Sequence, residues 1–494
     1  MRTRLVQNRL VPWGLFLVLA GAMAASPCRA DRPNLVWIVV DDMSPHFGCY
    51  GERLISTPRI DALAAGGIRF ENCFTTAPVC SPCRSALITG CYQTTIGAHH
   101  HRSGRGERKI TLPNGVEPLP AILKRAGYYT CLGGPSVTGT HRLGKSDYNF
   151  EWDPAIYDSN DWGGRQPGQP FFMQVQLHGG KLREGAGWKE RAQARLGELV
   201  DPRAVTLPPC YPNDSILAED WARYLDACRW TDAEVGEVVD RLQREGLRES
   251  TVVIVTTDHG ISHARGKQSL YDQGLRVPLI LNGPGIAKGL LRSDLAQLID
   301  LAPTTLALAG LPIPPRMQGM NLLAEDRPER SMIFAARDRC DETVDQIRCI
   351  RTHRWKYIRN GFPGRPLLQP NAYKDAKPIV QRLRELQTAG TLTAEHEQLL
   401  FAPTRPREEL YDLQHDPDEL RNLAGDARSA AELARFRELL TAWQTESNDL
   451  GATDEPRDMY ESDMQVYLQE LPPERRSIVE RNIGQMQAWA RDGQ

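Results

Sequence analysis

Two strand-like segments of this sequence end in paired polar groups that point to a site. The apolar run NLVWIVV (34–40) stops at Asp41-Asp42, and TVVIVTT (251–257) stops at Asp258-His259-Gly260. Continuous β-branched runs of this kind suit strands buried on both faces of a parallel sheet. In open α/β sheets, ligands gather at the carboxyl ends of such strands. A single Asp at a strand end is ordinarily a cap or a surface charge; two such pairs together mark a site.

A third chemical segment is APVCSPCRSALITG, from Ala77 to Gly90. Cys80 stands at the start of a short apolar stretch with helical character, where a thiol pKa is lowered and anions are favoured. The residues alone leave two readings open, a thiolate nucleophile and a disulfide with Cys83.

Positioning these groups requires alternating elements. A helix is expected from Thr57-Pro58 through Ala65, with Thr57 as N-cap, Pro58 in the first turn and Gly66-Gly67 as the stop. FFMQVQL (171–177) is a further strand, and Ala218 to Glu245 carries apolar residues at helical spacing. Strand and helix alternate, so the class is α/β. Beyond Leu311 the texture changes: after the proline-rich LPIPPR come MIFAAR and QIRCIRTHRWKYIRN, a small antiparallel sheet with one face expected in solvent. ELYDLQHDPDELRNLA (409–424) adds a last strand and turn, and Leu433, Phe436, Leu440 and Trp443 mark an amphipathic helix before a charged, helical tail.

Cys80-x-Pro82-x-Arg84 followed by SALITG resembles the signature of the type I sulfatases, which belong to the alkaline-phosphatase superfamily. NLVWIVVDDM, TPRIDALAAGGIRFENCFTTAPVCSPCRSALITG, TVVIVTTDHG, GKQSLYDQGLRVPLIL, IDLAPTTLALAGL and ELYDLQHDPDELRNLA follow in the order a sulfatase presents them, from about residue 33 to 424. The resemblance implies a large mixed, mostly parallel central sheet flanked by helices, alkaline-phosphatase-like, plus a small C-terminal antiparallel-sheet subdomain. It implies that Cys80 is converted to Cα-formylglycine by a formylglycine-generating enzyme. Asp41, Asp42, Asp258, His259 and the modified side chain at position 80 would hold Ca²⁺, with Mg²⁺ as the alternative.

The same resemblance assigns roles. The hydrated aldehyde at position 80 would attack sulfur through one hydroxyl and expel sulfate through the other, a route closed to serine. Arg84 would steady the diol, while Lys145 and Lys267 would contact sulfate oxygens. Lys145 is assigned through GKSDYNFE, which resembles the KTDYNF of a heparan-sulfatase-like branch, with an inserted loop from Gly133 to Leu143; Asp147 then stands where that family usually has histidine. This leaves His178, at the end of FFMQVQL, and His100, chosen from His99-His100-His101, as acids for the leaving group. Arg337, Asp338, Arg348 and His353 are expected substrate contacts. A phosphomonoester or phosphodiester hydrolase and a non-catalytic carbohydrate-binding relative are the competing readings.

Composition sets outer limits. The chain has 60 Lys+Arg, 62 Asp+Glu and a formal net charge of −2, which argues against a nucleic-acid ligand. Residues 1–30 have the pattern of a secretory signal, with arginines ahead of GLFLVLAGAMAA and small residues up to Ala30, and no stable membrane span is expected. Export would be to the periplasm or beyond, an oxidising setting in which Cys340 and Cys349 could pair. The expected organisation is a catalytic domain over 31–325, the antiparallel-sheet subdomain over 326–425 and a helical tail over 426–494. The expected substrate is a sulfated carbohydrate or aryl sulfate.

Overall fold

The computed structural model describes residues 32–135 and 142–493, so the signal-like segment and the middle of the inserted loop lie outside the described residues. Seven strands form the central sheet: β1 (Asn34–Val40), β2 (Ile68–Phe74), β3 (Tyr129–Gly133), β4 (Phe171–Leu177), β5 (Thr251–Thr257), β6 (Arg276–Asn282) and β7 (Leu290–Gln297). Their order is β3-β4-β1-β5-β6-β2-β7, and β6 runs antiparallel to both of its neighbours while the other pairings are parallel.

Every residue of β1 is buried, which explains its unbroken apolar run. Val36, Ile38 and Val40 face one core, shared with Trp221, Leu225, Cys228, Val235 and Val238 of the helix Ser215–Arg244. Leu35, Trp37 and Val39 face the other, shared with Cys83, Leu87 and Ile88 of the helix Cys80–Thr89. Burying a side chain of this size contributes about 1.5–3 kcal/mol, so two apolar faces on one strand hold it firmly at the centre. The helix Pro58–Ala65 has Thr57 at its N-cap position, but the Thr57 hydroxyl does not cap it; it donates to Asp61 Oδ1 at 3.1 Å.

The second sheet is antiparallel, ordered β11-β10-β9-β8, from β8 (Ile333–Arg337), β9 (Ile347–Arg351), β10 (Trp355–Asn360) and β11 (Glu408–Asp412). The expected solvated face is not found. One face packs on Phe74, Leu270 and Tyr271, and the other lies under Leu433, Phe436, Leu440 and Trp443 of the helix Ala430–Glu446. The two arginines of β9 are buried in ion pairs, Arg348 with Asp338 at 2.9 Å and Asp449 at 2.7 Å and Arg351 with Asp272 at 3.2 Å. The tail continues as helices Arg457–Glu470 and Pro473–Arg491. Among the described residues no helix is long and apolar enough to cross a membrane.

Candidate active site

Three adjacent strands end in step. Val40 of β1 is in register with Leu177 of β4 and Thr257 of β5, so the residues that follow each strand meet at one edge. The Asp258 amide donates to Val40 O at 2.9 Å and the Asp41 amide to Leu177 O at 3.0 Å, extending the ladder by one residue. Asp42 then turns through the left-handed region at φ 56°, which Asp tolerates better than most side chains. Its N–H donates to Asp258 Oδ1 at 3.1 Å.

Cys80 begins its helix with no side chain capping the N-terminus, so its thiol projects among these strand ends. Its Sγ lies 3.2 Å from Lys267 Nζ, 3.3 Å from His259 Nε2 and 3.8 Å from Lys181 Nζ. Burial alone would raise the thiol pKa, but Lys145, Lys181 and Lys267 outweigh it and bring it down to about 7. One helical turn on, Arg84 bonds Asp258 Oδ2 at 3.2 Å and also reaches Asp41 and Gln176. Desolvation works against ionised Asp41 and Asp42, yet the cations around them hold both well below the usual carboxylate range: Arg84, Lys181 and Lys145 for Asp41, and Lys181, Lys267 and His259 for Asp42.

Four donors stand close enough to hold a metal ion. Ligand atoms of Asp42, Cys80, Asp258 and His259 all lie within 4.8 Å of one another. His259 Nδ1 sits 3.0 Å from Gly260 O and therefore carries the hydrogen, which leaves the Nε2 lone pair directed at the cluster. Asp41, expected as a fifth ligand, borders this group, with its oxygens engaged by Arg84, Lys145 and Lys181.

The structure thus brings together Asp41, Asp42, Cys80, Arg84, Lys145, Asp258, His259 and Lys267. Lys145 reaches Asp41 at 2.9 Å. The Gly144 amide donates to Leu132 O of β3 at 2.8 Å, which holds the residue before Lys145 beside that strand.

Several expected residues lie elsewhere. His178 follows β4 with an exposed side chain that makes no hydrogen bond or ion pair among the described residues. The group delivered from this loop is Lys181, whose Nζ is 2.6 Å from Asp41 Oδ2 and 3.7 Å from Asp42 Oδ1. His100 is turned away from Cys80, because its Nδ1 accepts from the Arg339 amide at 3.3 Å and its Nε2 lies 3.9 Å from Glu455. It is His101 that faces the cysteine helix, with Nδ1 2.6 Å from Ser81 Oγ. Arg337, Asp338 and Arg348 are buried in internal ion pairs and His353 is exposed on the β9–β10 turn, and none of the four bonds to the groups around Cys80. The Cys340–Cys349 bridge is absent: all ten cysteines among the described residues are free thiols, and Cys340 Sγ contacts Asp341 Oδ2 at 3.9 Å.

Tyr373 belongs to the site without any sequence signal. Its hydroxyl donates to Asp42 Oδ2 at 3.0 Å and accepts from Lys267 Nζ at 3.2 Å.

A buried cysteine at a helix start, opposite carboxylates at the ends of parallel strands and ringed by lysines, is an arrangement suited to hydrolysis of an anionic ester. Comparison with known proteins narrows this. The family model described as Sulfatase matches residues 33–157 and 145–311. An ulvan-active sulfatase of Formosa agariphila is 31% identical over 474 residues, covering 87% of this chain and 78% of that protein. The N-sulphoglucosamine sulphohydrolase of Homo sapiens is 28% identical over 470 residues, covering 85% and 92%. At the level of fold, a phosphonate monoester hydrolase of Agrobacterium radiobacter is similar with TM-score 0.61 at 18% identity, covering 86% of this chain and 99% of that one. The chain belongs to the sulfatase family, as a type I sulfatase and a sulfuric ester hydrolase.

Proposed function

We propose that this protein is an exported sulfatase that removes sulfate from a sulfated carbohydrate of glycosaminoglycan type, acting on esters and on N-sulfates, with Cys80 converted to formylglycine. The observation that carries the reading is the environment of Cys80: a buried side chain at a helix start, with Lys267 and His259 both within 3.3 Å. The relatives named for ulvan and for N-sulphoglucosamine support the substrate class. The signal-like sequence of residues 1–30 supports export.

Asp42, Asp258, His259 and position 80 would hold the cation, Ca²⁺ by the preference of oxygen-rich sites, with Asp41 beside them. A bound cation supplies Lewis-acid polarisation, and the formylglycine hydrate supplies the attacking oxygen. The remaining work belongs to the chain. Arg84 fixes the Asp41 and Asp258 carboxylates by bonding both. Lys181 and Lys267 place ammonium groups beside position 80, where negative charge spreads over the sulfuryl oxygens in the transition state. Lys145, about a third exposed, guards the outer edge. These cations would serve a phosphoryl group equally well, and it is the family match that favours sulfate over phosphate esters.

The test has two parts. Mass spectrometry of the Cys80 peptide should show a loss of about 18 Da relative to cysteine, as replacing CH₂SH by CHO requires. The purified enzyme should release sulfate from sulfated glycans and from an aryl sulfate faster than phosphate from the matched aryl phosphate. Unmodified thiol in fully active enzyme, or preference for the phosphate, would refute the reading.

A further inference from the structure

Beside the metal-ligand cluster lies a second buried group, His101, Cys340 and Asp341, whose ligand atoms also fall within 4.8 Å of one another. Hydrogen bonding sets the imidazole against metal binding there. The Ser81 amide points at His101 Nδ1 from 3.4 Å, and Ser81 Oγ approaches the same nitrogen at 2.6 Å. That hydroxyl already accepts the Arg102 amide at 3.2 Å, so its own hydrogen is the one directed at Nδ1. Nδ1 therefore accepts twice, and the hydrogen of the neutral ring resides on Nε2. Burial, with help from Arg102 and Lys267, keeps the ring neutral by pushing its pKa well below the ordinary value.

The Nε2–H looks toward Asp341 Oδ1 from 3.7 Å, too far for a hydrogen bond. That oxygen is fully buried and receives no hydrogen bond, although Arg102 Nε is 3.4 Å away. Asp341 is held in the left-handed region at φ 51°, a conformation that costs a non-glycine residue of order 1 kcal/mol or more. A donor without a hydrogen-bond partner and a desolvated acceptor thus stand side by side without satisfying each other, an arrangement that is costly to the acceptor unless a third group completes it.

The location suits a substrate. Ser81, which orients His101, is the residue after Cys80, and Lys267 and Lys145 of the sulfate site are both close enough to oppose protonation of His101. Arg102, with 38% of its side chain exposed, is the outermost member of the group.

We propose that His101 and Asp341 form a subsite for a sugar hydroxyl next to the sulfated position. A hydroxyl can accept from Nε2–H and donate to the carboxylate at once. A second sulfate or a carboxylate would meet the Asp341 charge, and an ammonium group would meet the Nε2–H. The subsite rests on the sulfatase reading above and names the substituent that the enzyme reads beside the ester.

The test compares kcat/KM for a monosulfated hexose that the enzyme turns over with that for analogues lacking each neighbouring hydroxyl in turn. The wild type should prefer one hydroxyl-bearing compound by about tenfold or more, since a site built to bond a hydroxyl rejects its absence strongly. In Asp341→Asn, whose side chain tolerates the left-handed turn, and in His101→Asn, that ratio should fall toward one. His101→Gln, which carries an amide N–H near the Nε2 position, should recover part of it. Using a ratio divides out any general loss of activity. A wild-type ratio of one for every analogue, or a ratio unchanged in both Asn variants, overturns the subsite alone. A wild type that releases sulfate from none of the compounds overturns the sulfatase reading and the subsite with it.

Discussion

Lys181 carries more of the electrostatics of this site than its place in a loop suggests. It contacts both carboxylates that follow β1 and approaches Cys80, and its ammonium is held charged against burial chiefly by Asp42. Replacing Lys181 with Met should lower kcat for sulfate-ester hydrolysis by about 10²–10³-fold, the usual cost of losing one preorganised donor to a developing anion. Steady-state kinetics with thermal melts as a control would check this, and Lys181→Arg should retain more activity than Met. Tyr373→Phe is a milder probe of the same charges. Losing the hydroxyl between Asp42 and Lys267 should lower kcat by about tenfold, the kinetic equivalent of ~1.4 kcal/mol. The two residues also show where sequence reading stopped. Asp41, Asp42, Cys80, Arg84, Asp258, His259 and Lys267 are legible because each lies within a recognisable motif. Lys181 had one available signal, the Gly179-Gly180 pair directly after β4. A Cβ on either glycine would come within 2.3 Å of the Asp41 or Asp42 carbonyl oxygen, so the pair marks close approach of this loop to the acidic residues. Tyr373 had none, because it comes from the long connection between β10 and β11 and reaches the site only through tertiary packing.

At the level of elements, strand bounds were the most legible feature. NLVWIVV, FFMQVQL and TVVIVTT are β1, β4 and β5 residue for residue, since burial on both faces leaves an apolar run with abrupt ends. The second sheet was legible as strands but not in its surroundings. Alternating arginines suggested solvent, whereas carboxylates distant in sequence neutralise several of them in the interior. The tail helix Arg457–Glu470 is a comparable case, since its charged sequence conceals a buried anchor. Asp463 accepts the amides of Gly104 at 3.2 Å, Arg105 at 2.9 Å and Gly106 at 3.0 Å, and pairs with Arg339 at 2.8 Å. These bonds tie the tail to the loop that follows His101. Asp463→Ala should destabilise the protein by about 2–3 kcal/mol, because it leaves three amides without their acceptor, while Arg339 keeps its pair with Glu455. Urea denaturation would measure it, with Asp463→Asn falling between the two.

For the whole molecule, stability against pH is set by two buried populations that pull in opposite directions. Burial drives the pKa of His46 and His263 down to about 4 and that of His99 to about 3. Unfolding lets each take up a proton near its ordinary value of 6.5, so their contribution is complete above that pH and is lost as the pH falls toward the folded values. Burial drives Asp338 and Glu342 the other way, up to about 7, in Asp338 against the opposing pull of its Arg348 partner. Their contribution is complete below the ordinary carboxylate pKa and is lost as the pH rises through about 7. Between pH 4.5 and 6.5 the two populations oppose each other, the two carboxyls cancelling two of the three histidines, so these groups together should raise the wild-type stability with pH by about 1.4 kcal/mol per unit. Single substitutions should separate them with opposite signs. Asp338→Asn removes a group that is penalised when ionised, so relative to wild type it should gain about 1.4 kcal/mol per pH unit as the pH rises from 5 to 6.5. His99→Asn removes a group that is penalised when protonated, so it should gain by a similar slope as the pH falls over the same interval. Urea denaturation of the three proteins at pH 5 and 6.5 decides the matter: two slopes of the same sign would mean that the protons lost and gained on unfolding belong to other groups.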